Sequence, residues 1–517
     1  MSVKSQKKKV AFDNPGVYTP FQTETSFLLF FPYNKKQFWN PRNPSIRQAA
    51  PAAEKERQSM AYQSINPYTN EVIRTYDNIS DRELETSLAR AHALYQSWRS
   101  DPASYDRRKK QLRQLAEELR QNKEKYAEVM AREVGKIWPE ALGEVELSAA
   151  IAEYYADHAD AFMAPTPVPV PAGKAYTLKQ AIGAIFAVEP WNFPFYQVIR
   201  VFAPNFIVGN PLLLKHASIC PGSAQAFEEA VLAAGAEKGA FQNLFLSYDQ
   251  VSRAIGDSRV AGVCLTGSER SGATVAAEAG KALKKSSMEL GGNDAFVILD
   301  DADMDVVKSM LAPARLYNAG QVCASSKRFI VTEKNYHRLV RDLIEVFSSV
   351  KWGDPMDSQT TLGPLSSAQA KKDVLEQIRQ GIQAGAKVLY GNQPIDHPGN
   401  FVMPTILTGI TRENPLYNKE VFGPVGEIYC VKDEEEAIAL ANDSSYGLGS
   451  AVFSRDLAHA QQAAAWIEAG MTVINAPCLT QPFLPFGGVK NSGYGRELAE
   501  LGFYTFVNEH LVYLPEA

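Results

Sequence analysis

Cysteine is scarce and scattered in this chain. Its 517 residues hold five, Cys220, Cys264, Cys323, Cys430 and Cys478, an odd number with no C-x-x-C pair. That spacing argues against a disulfide framework and a zinc ribbon and fits a reducing compartment, so a cytoplasmic protein is expected. The seven histidines form no ligand-like pattern, and no metal is expected. No apolar run approaches the roughly eighteen residues that span a bilayer. Nor is there an excess of positive charge. With 53 Lys/Arg against 58 Asp/Glu, the net charge of −5 leaves no footprint for nucleic acid or an anionic membrane. What remains is a chain of ordinary composition, 45% hydrophobic and 21% charged, too long for one core.

Residues 1–59 stand apart from the rest. They carry ten Lys/Arg against four Asp/Glu and show no helical or strand periodicity. We read them as a disordered or non-native extension, with an organelle-targeting leader as the alternative. Regular patterning starts at Met60. "SDRE" at 80–83 predicts a capping box opening a helix, and a highly charged helix follows over "RRKKQLRQLAEELRQNKEKYAEVM", its charges read as a solvated face. Residues 165–182 are Pro-rich and then extended, an excursion from the main body. Beyond them, apolar strands ("GAIFAVEP", "PLLLKHA", "GVCLTG") alternate with amphipathic helices, and a second alternating block follows Cys323. This predicts α/β architecture with parallel sheets buried on both faces, in two domains linked near 289–295.

Four stretches are candidates for chemistry. In "NAGQVCASSKRF" one cysteine, Cys323, sits in a Gly-containing turn; a lone cysteine is more often a small buried hydrophobe than a nucleophile. In "EPWNFPFYQVIR", Asn192 leaves a strand between Trp191 and Phe193, where its amide suits a developing oxyanion or simply a turn. Arg200 follows in an apolar helix and needs an anion, structural or substrate. In "SSMELGGND", Glu289 precedes two glycines and reads equally as a general base of raised pKa or a salt-bridged structural group. In "CLTGSERSG", Gly267 and Ser268 lie at a strand–helix junction. It suits a phosphate, but lacks the G-x-G-x-x-G spacing and reads by itself as a plain turn.

Taken with Lys215, "EVFGPV" at 420–425 and "PFGGVKNSGYGRE" at 485–497, these stretches resemble the NAD(P)-dependent aldehyde dehydrogenases over residues 60–517. The 34 residues from Glu289 to Cys323 are that family's usual separation. The resemblance implies a variant Rossmann cofactor domain (60–164 and 183–288), an α/β catalytic domain (289–475) and small bridging, oligomerising β elements (165–182 and 476–517). It also implies a homodimer or homotetramer. It makes Cys323 the nucleophile toward an aldehyde, Asn192 with the Cys323 N–H the oxyanion donors, and Glu289 the base that hydrolyses the thioester. The Cys is activated in this family by an electropositive setting and the carboxylate matching Glu289.

By position, Lys215 and Glu420 match ribose contacts and Ser268 a pyrophosphate contact at the Gly267 turn, while Trp191 and Phe422 flank the cofactor. Ser218 stands where NAD-preferring members often have Glu, so NADP is expected to be accepted alongside or above NAD. Two motifs, "PWNFPFYQVIR" and "GQVCASSKRF", resemble most the succinate-semialdehyde dehydrogenase branch. There Arg200 matches an arginine that pairs with the substrate carboxylate, and Thr480 a hydroxyl partner. A second arginine found in another such group is replaced by Tyr317, with Arg315 two residues earlier. The rival readings are a broad-specificity enzyme for uncharged aldehydes and, in other classes, a cysteine hydrolase or a non-catalytic protein.

Overall fold

Strands Ala184–Glu189, Leu212–His216 and Val260–Thr266 are buried on both faces along almost their whole length. Such strands need covering on each side, and the helices that follow each of them supply it. The computed structural model describes residues 62–516, so the expectations for residues 1–59 lie outside it. A six-stranded sheet runs Gly493–Tyr494, Lys285–Glu289, Val260–Thr266, Ala184–Glu189, Leu212–His216, Phe241–Asn243. Only its first pair is antiparallel. A seven-stranded sheet, from Lys387–Tyr390 through Ser326–Thr332 and Asp294–Ile298 to Val473–Ile474, is likewise parallel except at its first pair. The α/β class is as expected. Residues 290–293 lead from the last parallel strand of one sheet into Asp294–Ile298 of the other.

Within the excursion, Thr166–Val168 and Lys174–Ala181 form a three-stranded antiparallel sheet with Val507–Leu514, in register from Lys174↔Leu514 to Ala181↔Val507. Leu511, Tyr513 and Leu514 on it are half exposed or more.

The helical side departs from the sequence reading in two places. Ser80 caps helix Asp81–Ser100 through the expected box with Glu83. The next charged stretch is two helices, Ser104–Gln121 and Lys123–Val134, broken at Asn122 (φ −112°, ψ 28°). There the Asn122 amide and the Tyr126 hydroxyl both donate to the Glu118 carboxylate, and the backbone turns around it. Nor is the charged face merely solvated: Arg120 bridges to Glu146 and Glu153, Arg113 to Asp157 and Lys109 to Asp160, lacing this hairpin to the 26-residue helix Trp138–Met163. Each such exposed pair contributes at most about 1 kcal/mol. No described helix is long and apolar enough to cross a membrane.

Candidate active site

Cys323 lies in the connection between helix Met304–Arg315 and strand Ser326–Thr332. Its backbone is held in an unusual path. Asn318 (φ 51°), Ala319 (φ 53°) and Gly320 (φ 74°) are all left-handed, a conformation that is strained for alanine. Glycine is required at 320 because a Cβ there would lie 2.3 Å from the Gly423 carbonyl oxygen. The fully buried Arg315 holds this path together: Nη1 donates to the Gly320 carbonyl (3.1 Å) and the Ser325 hydroxyl (2.8 Å), and Nη2 to the Val421 carbonyl (2.7 Å). Arg315 is therefore turned into the protein, away from any ligand. Gln321 locks the turn further, donating to the Asn318 carbonyl and accepting from Ser366 N–H.

The Asn192 turn docks on this loop from the other sheet. The Asn192 amide donates to the Gln321 carbonyl (3.1 Å), its side-chain oxygen accepts from Gln197 (3.2 Å), and Asn318 donates to the Asn192 carbonyl (2.8 Å). A side-chain amide has two N–H groups, so one remains for a ligand. Beneath the turn, Glu144 accepts from Phe195 and Tyr196 N–H (2.8 and 3.1 Å) and pairs with Lys136. Neither charged side chain of that pair is exposed at all, and the Lys136 ammonium sits 3.7 Å from the Phe193 ring centroid.

Lys327 lies under the nucleophile turn. Its ammonium donates to the Val322 carbonyl (2.8 Å) and the Cys323 carbonyl and pairs with Glu420 (3.0 Å). This is the electropositive setting expected of the thiol, yet it does not dominate. Burial pushes the Cys323 thiol up to about 12, with Lys327 and then Arg200 pulling back. Glu289 ends strand Lys285–Glu289, 1% exposed, with neither carboxylate oxygen hydrogen-bonded. Burial and then the Glu497 charge hold its carboxyl well above the usual range, against Arg200 and Arg496.

The glycines 291 and 292 make room for what surrounds them. A Cβ on Gly291 would lie 2.6 Å from the Glu420 carboxylate, and one on Gly292 would lie 2.5 Å from the Cys323 carbonyl.

The thiol opens on a cavity of about 280 Å³ lined by Phe193, Tyr196, Cys478, Thr480 and Phe486 among others. No histidine lines it, which removes the imidazole a cysteine hydrolase needs. Thr480 faces Tyr196 across it, hydroxyl to hydroxyl, at 3.5 Å. Arg200 is not in the lining. Its guanidinium has no exposure, pairs with Glu497, and donates from Nη1 to the Tyr196 hydroxyl (3.1 Å) and from Nη2 to Thr266 (2.8 Å). Direct pairing of Arg200 with a substrate carboxylate, expected from the sequence, is thus corrected. The anion that this arginine needs is Glu497, and the cavity meets its charge only through Tyr196.

The remaining candidates, Phe422 apart, lie at or just beyond the carboxyl ends of neighbouring parallel strands. Trp191 and Phe422 meet edge to face at 5.8 Å between centroids. Lys215, near the carboxyl end of Leu212–His216, is 8% exposed, has no carboxylate partner among the described residues, and is pushed down to about 8 by burial. Ser218 is half-buried three residues on. Gly267 N–H donates to the Glu289 carbonyl (2.9 Å), so the strand–helix junction is tied to the strand that carries Glu289. Ser268 caps helix Glu269–Lys281 and leaves its first N–H groups facing outward.

Lys327, Glu144 and Glu497 carry the site's framework without being singled out in the sequence, and Arg315, noted there only beside the missing second substrate arginine, is part of the same frame. Glu497 stands inside the quoted "GYGRE"; Arg315 and Lys327 are charges eight residues before and four after the cysteine, a readable signal of a buried polar frame.

The sequence profile of the aldehyde dehydrogenase family matches residues 54–512. The chain is 44% identical over 456 residues to a succinate-semialdehyde dehydrogenase [NADP(+)] of Deinococcus radiodurans, covering 88% of this chain and 95% of that one. It is 38% identical over 450 residues to a succinate semialdehyde dehydrogenase [NAD(P)+] of Escherichia coli, covering 87% and 97%. Among solved structures, it superposes with a TM-score of 0.87 on succinic semialdehyde dehydrogenase from Streptococcus pyogenes in complex with NADP+. That protein is 61% identical, with 88% of this chain and all of that one covered.

Proposed function

The chain belongs to the aldehyde dehydrogenase family, and from that premise we propose that it oxidises succinate semialdehyde to succinate with NADP+, working as a cytoplasmic homo-oligomer. The observation that carries the reading is the meeting of the Asn192 turn and the Cys323 turn across two sheets, with an unbonded buried carboxylate, Glu289, at the end of a neighbouring strand.

The residues at these strand ends fit the cofactor. Lys215 is a buried cation lacking a carboxylate, the helix that Ser268 caps leaves its Glu269 and Arg270 N–H groups free, and Ser218 places a hydroxyl near the Lys215 strand end. Bound there, NADP+ supplies the acceptor for the hydride that leaves the substrate carbon. The chain's own residues do the rest. Cys323 surrenders its proton toward Glu289 and attacks the aldehyde carbon. The free Asn192 N–H and the Cys323 N–H hold the oxyanion of the thiohemiacetal. Once the thiol proton has passed from Glu289 to solvent, the carboxylate takes a proton from water as that water attacks the thioester and returns it to the departing sulfur, releasing the acid and restoring the thiol.

Because the thiol is raised to about 12 and Glu289 is also raised, both groups are more protonated at neutral pH than their free counterparts. The reactive fraction, thiolate or ionised base, therefore grows with pH. Log kcat/KM is expected to climb continuously from pH 6 to 9 in a pH–rate profile. A flat profile would show that neither proton is rate-determining.

Ser218→Glu is expected to lower the NADP/NAD ratio of kcat/KM by about 10- to 100-fold, since a carboxylate would hold ribose hydroxyls and repel a 2′-phosphate. An unchanged ratio removes Ser218 from cofactor selection.

For the substrate, the Tyr196 and Thr480 hydroxyls are the polar pair facing each other across the cavity, and Arg200 polarises the first from behind. Losing a hydrogen bond to a charged group costs about 1.5–3 kcal/mol. Tyr196→Phe is therefore expected to cut kcat/KM for succinate semialdehyde at least tenfold while leaving hexanal unaffected. The apolar Phe193, Val322 and Leu479 in the same lining favour the second reading, a broad-specificity enzyme. Equal rates on both aldehydes, each insensitive to Tyr196→Phe, would establish that one.

The oligomer is supported by the exposed Leu511, Tyr513 and Leu514 on a sheet edge region, and the reducing compartment by five cysteines, all free. Light scattering decides between dimer and tetramer.

A further inference from the structure

At the opposite end of strand Lys285–Glu289 from the catalytic carboxylate lies a larger cavity, about 910 Å³. Helix Asp81–Ser100, helix Ser104–Gln121, the end of helix Tyr196–Val208 and the start of strand Val507–Leu514 enclose it. None of the chemistry described above uses it.

Its wall holds a cation that makes no ion pair, with the Glu237 and then the Asp101 carboxylate acting on it only from beyond ion-pair distance. Arg108 is only 4% exposed, and no carboxylate among the described residues lies within ion-pair distance of it. Its guanidinium is held by neutral partners: Nη1 donates to the Ser104 hydroxyl (2.8 Å) and Nη2 to the Ile207 carbonyl (3.3 Å), over the Trp98 ring at 4.8 Å. Nε is buried without any acceptor. A guanidinium so far from water is normally paired, because burying a lone charge is costly.

Two more cations line the same space. Arg99 is exposed and unpaired among the described residues. Lys285 donates to the Val507 carbonyl (2.8 Å), which leaves two ammonium protons free. One carboxylate, Glu509, faces them. The lining itself thus holds three cations against one anion, the carboxylates of Glu237 and Asp101 lying outside it.

We propose that this cavity binds a small dianion, a phosphate or a dicarboxylate. Its inner charge meets Arg108 through the unsatisfied Nε, and its outer charge meets Arg99 and Lys285. Arginine is suited to the inner position, since its planar fork matches two oxygens at once. The site is separate from the cofactor and aldehyde sites and does not depend on the activity proposed for them.

The test is hydrogen–deuterium exchange mass spectrometry on the assembled full-length protein. Inorganic phosphate or succinate, each at about 10 mM, is compared with sodium chloride at equal ionic strength. Divalent anion is expected to slow exchange at least about twofold in peptides covering 98–112 and 505–511, with chloride ineffective. Protection by phosphate alone assigns a phosphoryl ligand; protection by succinate, alone or with phosphate, assigns a dicarboxylate-competent site. Succinate is also the product of the proposed reaction, so any change in peptide 318–327 is read separately. Arg108→Gln is expected to abolish the effect. Arg99→Ser, at an exposed position that folding does not need, is expected to raise the half-saturating concentration at least about fivefold. The proposal is overturned if the two peptides gain no protection, if chloride protects them equally, or if Arg99→Ser and Lys285→Gln leave the half-saturation unchanged.

Discussion

Cys323→Ala is expected to abolish aldehyde-dependent NADPH formation, lowering kcat/KM by about 10⁴-fold or more, because the thioester on which the second half-reaction depends forms on this sulfur. Alanine loses the sulfur but keeps the backbone. The left-handed Asn318–Ala319–Gly320 path, the grip of Arg315 on Gly320, Ser325 and Val421 and the Asn192–Gln321 bond all rest on main-chain atoms or on other side chains, so the fold and cofactor affinity are expected to be unchanged. Cofactor binding by fluorescence titration separates loss of chemistry from loss of structure. One competitor shares the cavity: Cys478, whose thiol burial also raises. Residual activity in Cys323→Ala that disappears in Cys323→Ala/Cys478→Ala would transfer the nucleophile to Cys478. Full activity in Cys478→Ala is the expected control.

The second large effect falls on stability. Glu144→Ala removes the partner of Lys136 and the acceptor for two backbone N–H groups at the start of helix Tyr196–Val208. It would leave a fully buried ammonium against the Phe193 ring with only the more distant Glu140 carboxylate to offset it. Breaking a buried pair from one side costs about 3–5 kcal/mol. The midpoint of urea unfolding is expected to drop accordingly, and activity with it, since the Asn192 turn rests on this helix start. The double variant Lys136→Met/Glu144→Gln removes both charges yet keeps an oxygen for the Phe195 and Tyr196 N–H groups. It is expected to recover most of the loss. If the double variant is as unstable as Glu144→Ala, the ion pair itself stabilises the fold, and the uncompensated-charge argument fails.

These two cases differ in how far the sequence exposed them. Cys323, Asn192 and Glu289 each head a short stretch with glycine or proline nearby, and their order and separations carry a family resemblance. Periodicity also marks most strands and helices, because period 2 or 3.6 survives wherever one face meets solvent. It is blurred in Trp138–Met163: the buried Ala141, Val145, Ala149, Ala152, Ala156 and Ala159 recur at helical spacing, but most are alanines, and alanine also stands on the outer face at Ala150 and Ala161. A stripe written mainly in alanine carries little hydrophobic contrast to read. Arg200 shows another limit. Its residue type and apolar neighbours call for an anion, but the chain offers a substrate carboxylate or any of many glutamates, and only three-dimensional proximity selects Glu497, nearly three hundred residues away. The Asn122 break is similar: the charged run continues across it, and a local carboxylate, not a proline or glycine, turns the chain.

Strand Lys285–Glu289 has a mechanical consequence. Its ends stand about 13 Å apart, at roughly 3.3 Å per residue, one bordering the cationic cavity and the other supplying the catalytic carboxylate. Both flanks are pinned, by Val260–Thr266 along its whole length and by Gly493–Tyr494 at Met288 and Glu289, so sliding along its axis would break a ladder on each side. The strand is therefore a rigid spacer: it fixes the distance from Lys285 to the Glu289 backbone, while the Glu289 carboxylate itself is anchored by no side-chain hydrogen bond.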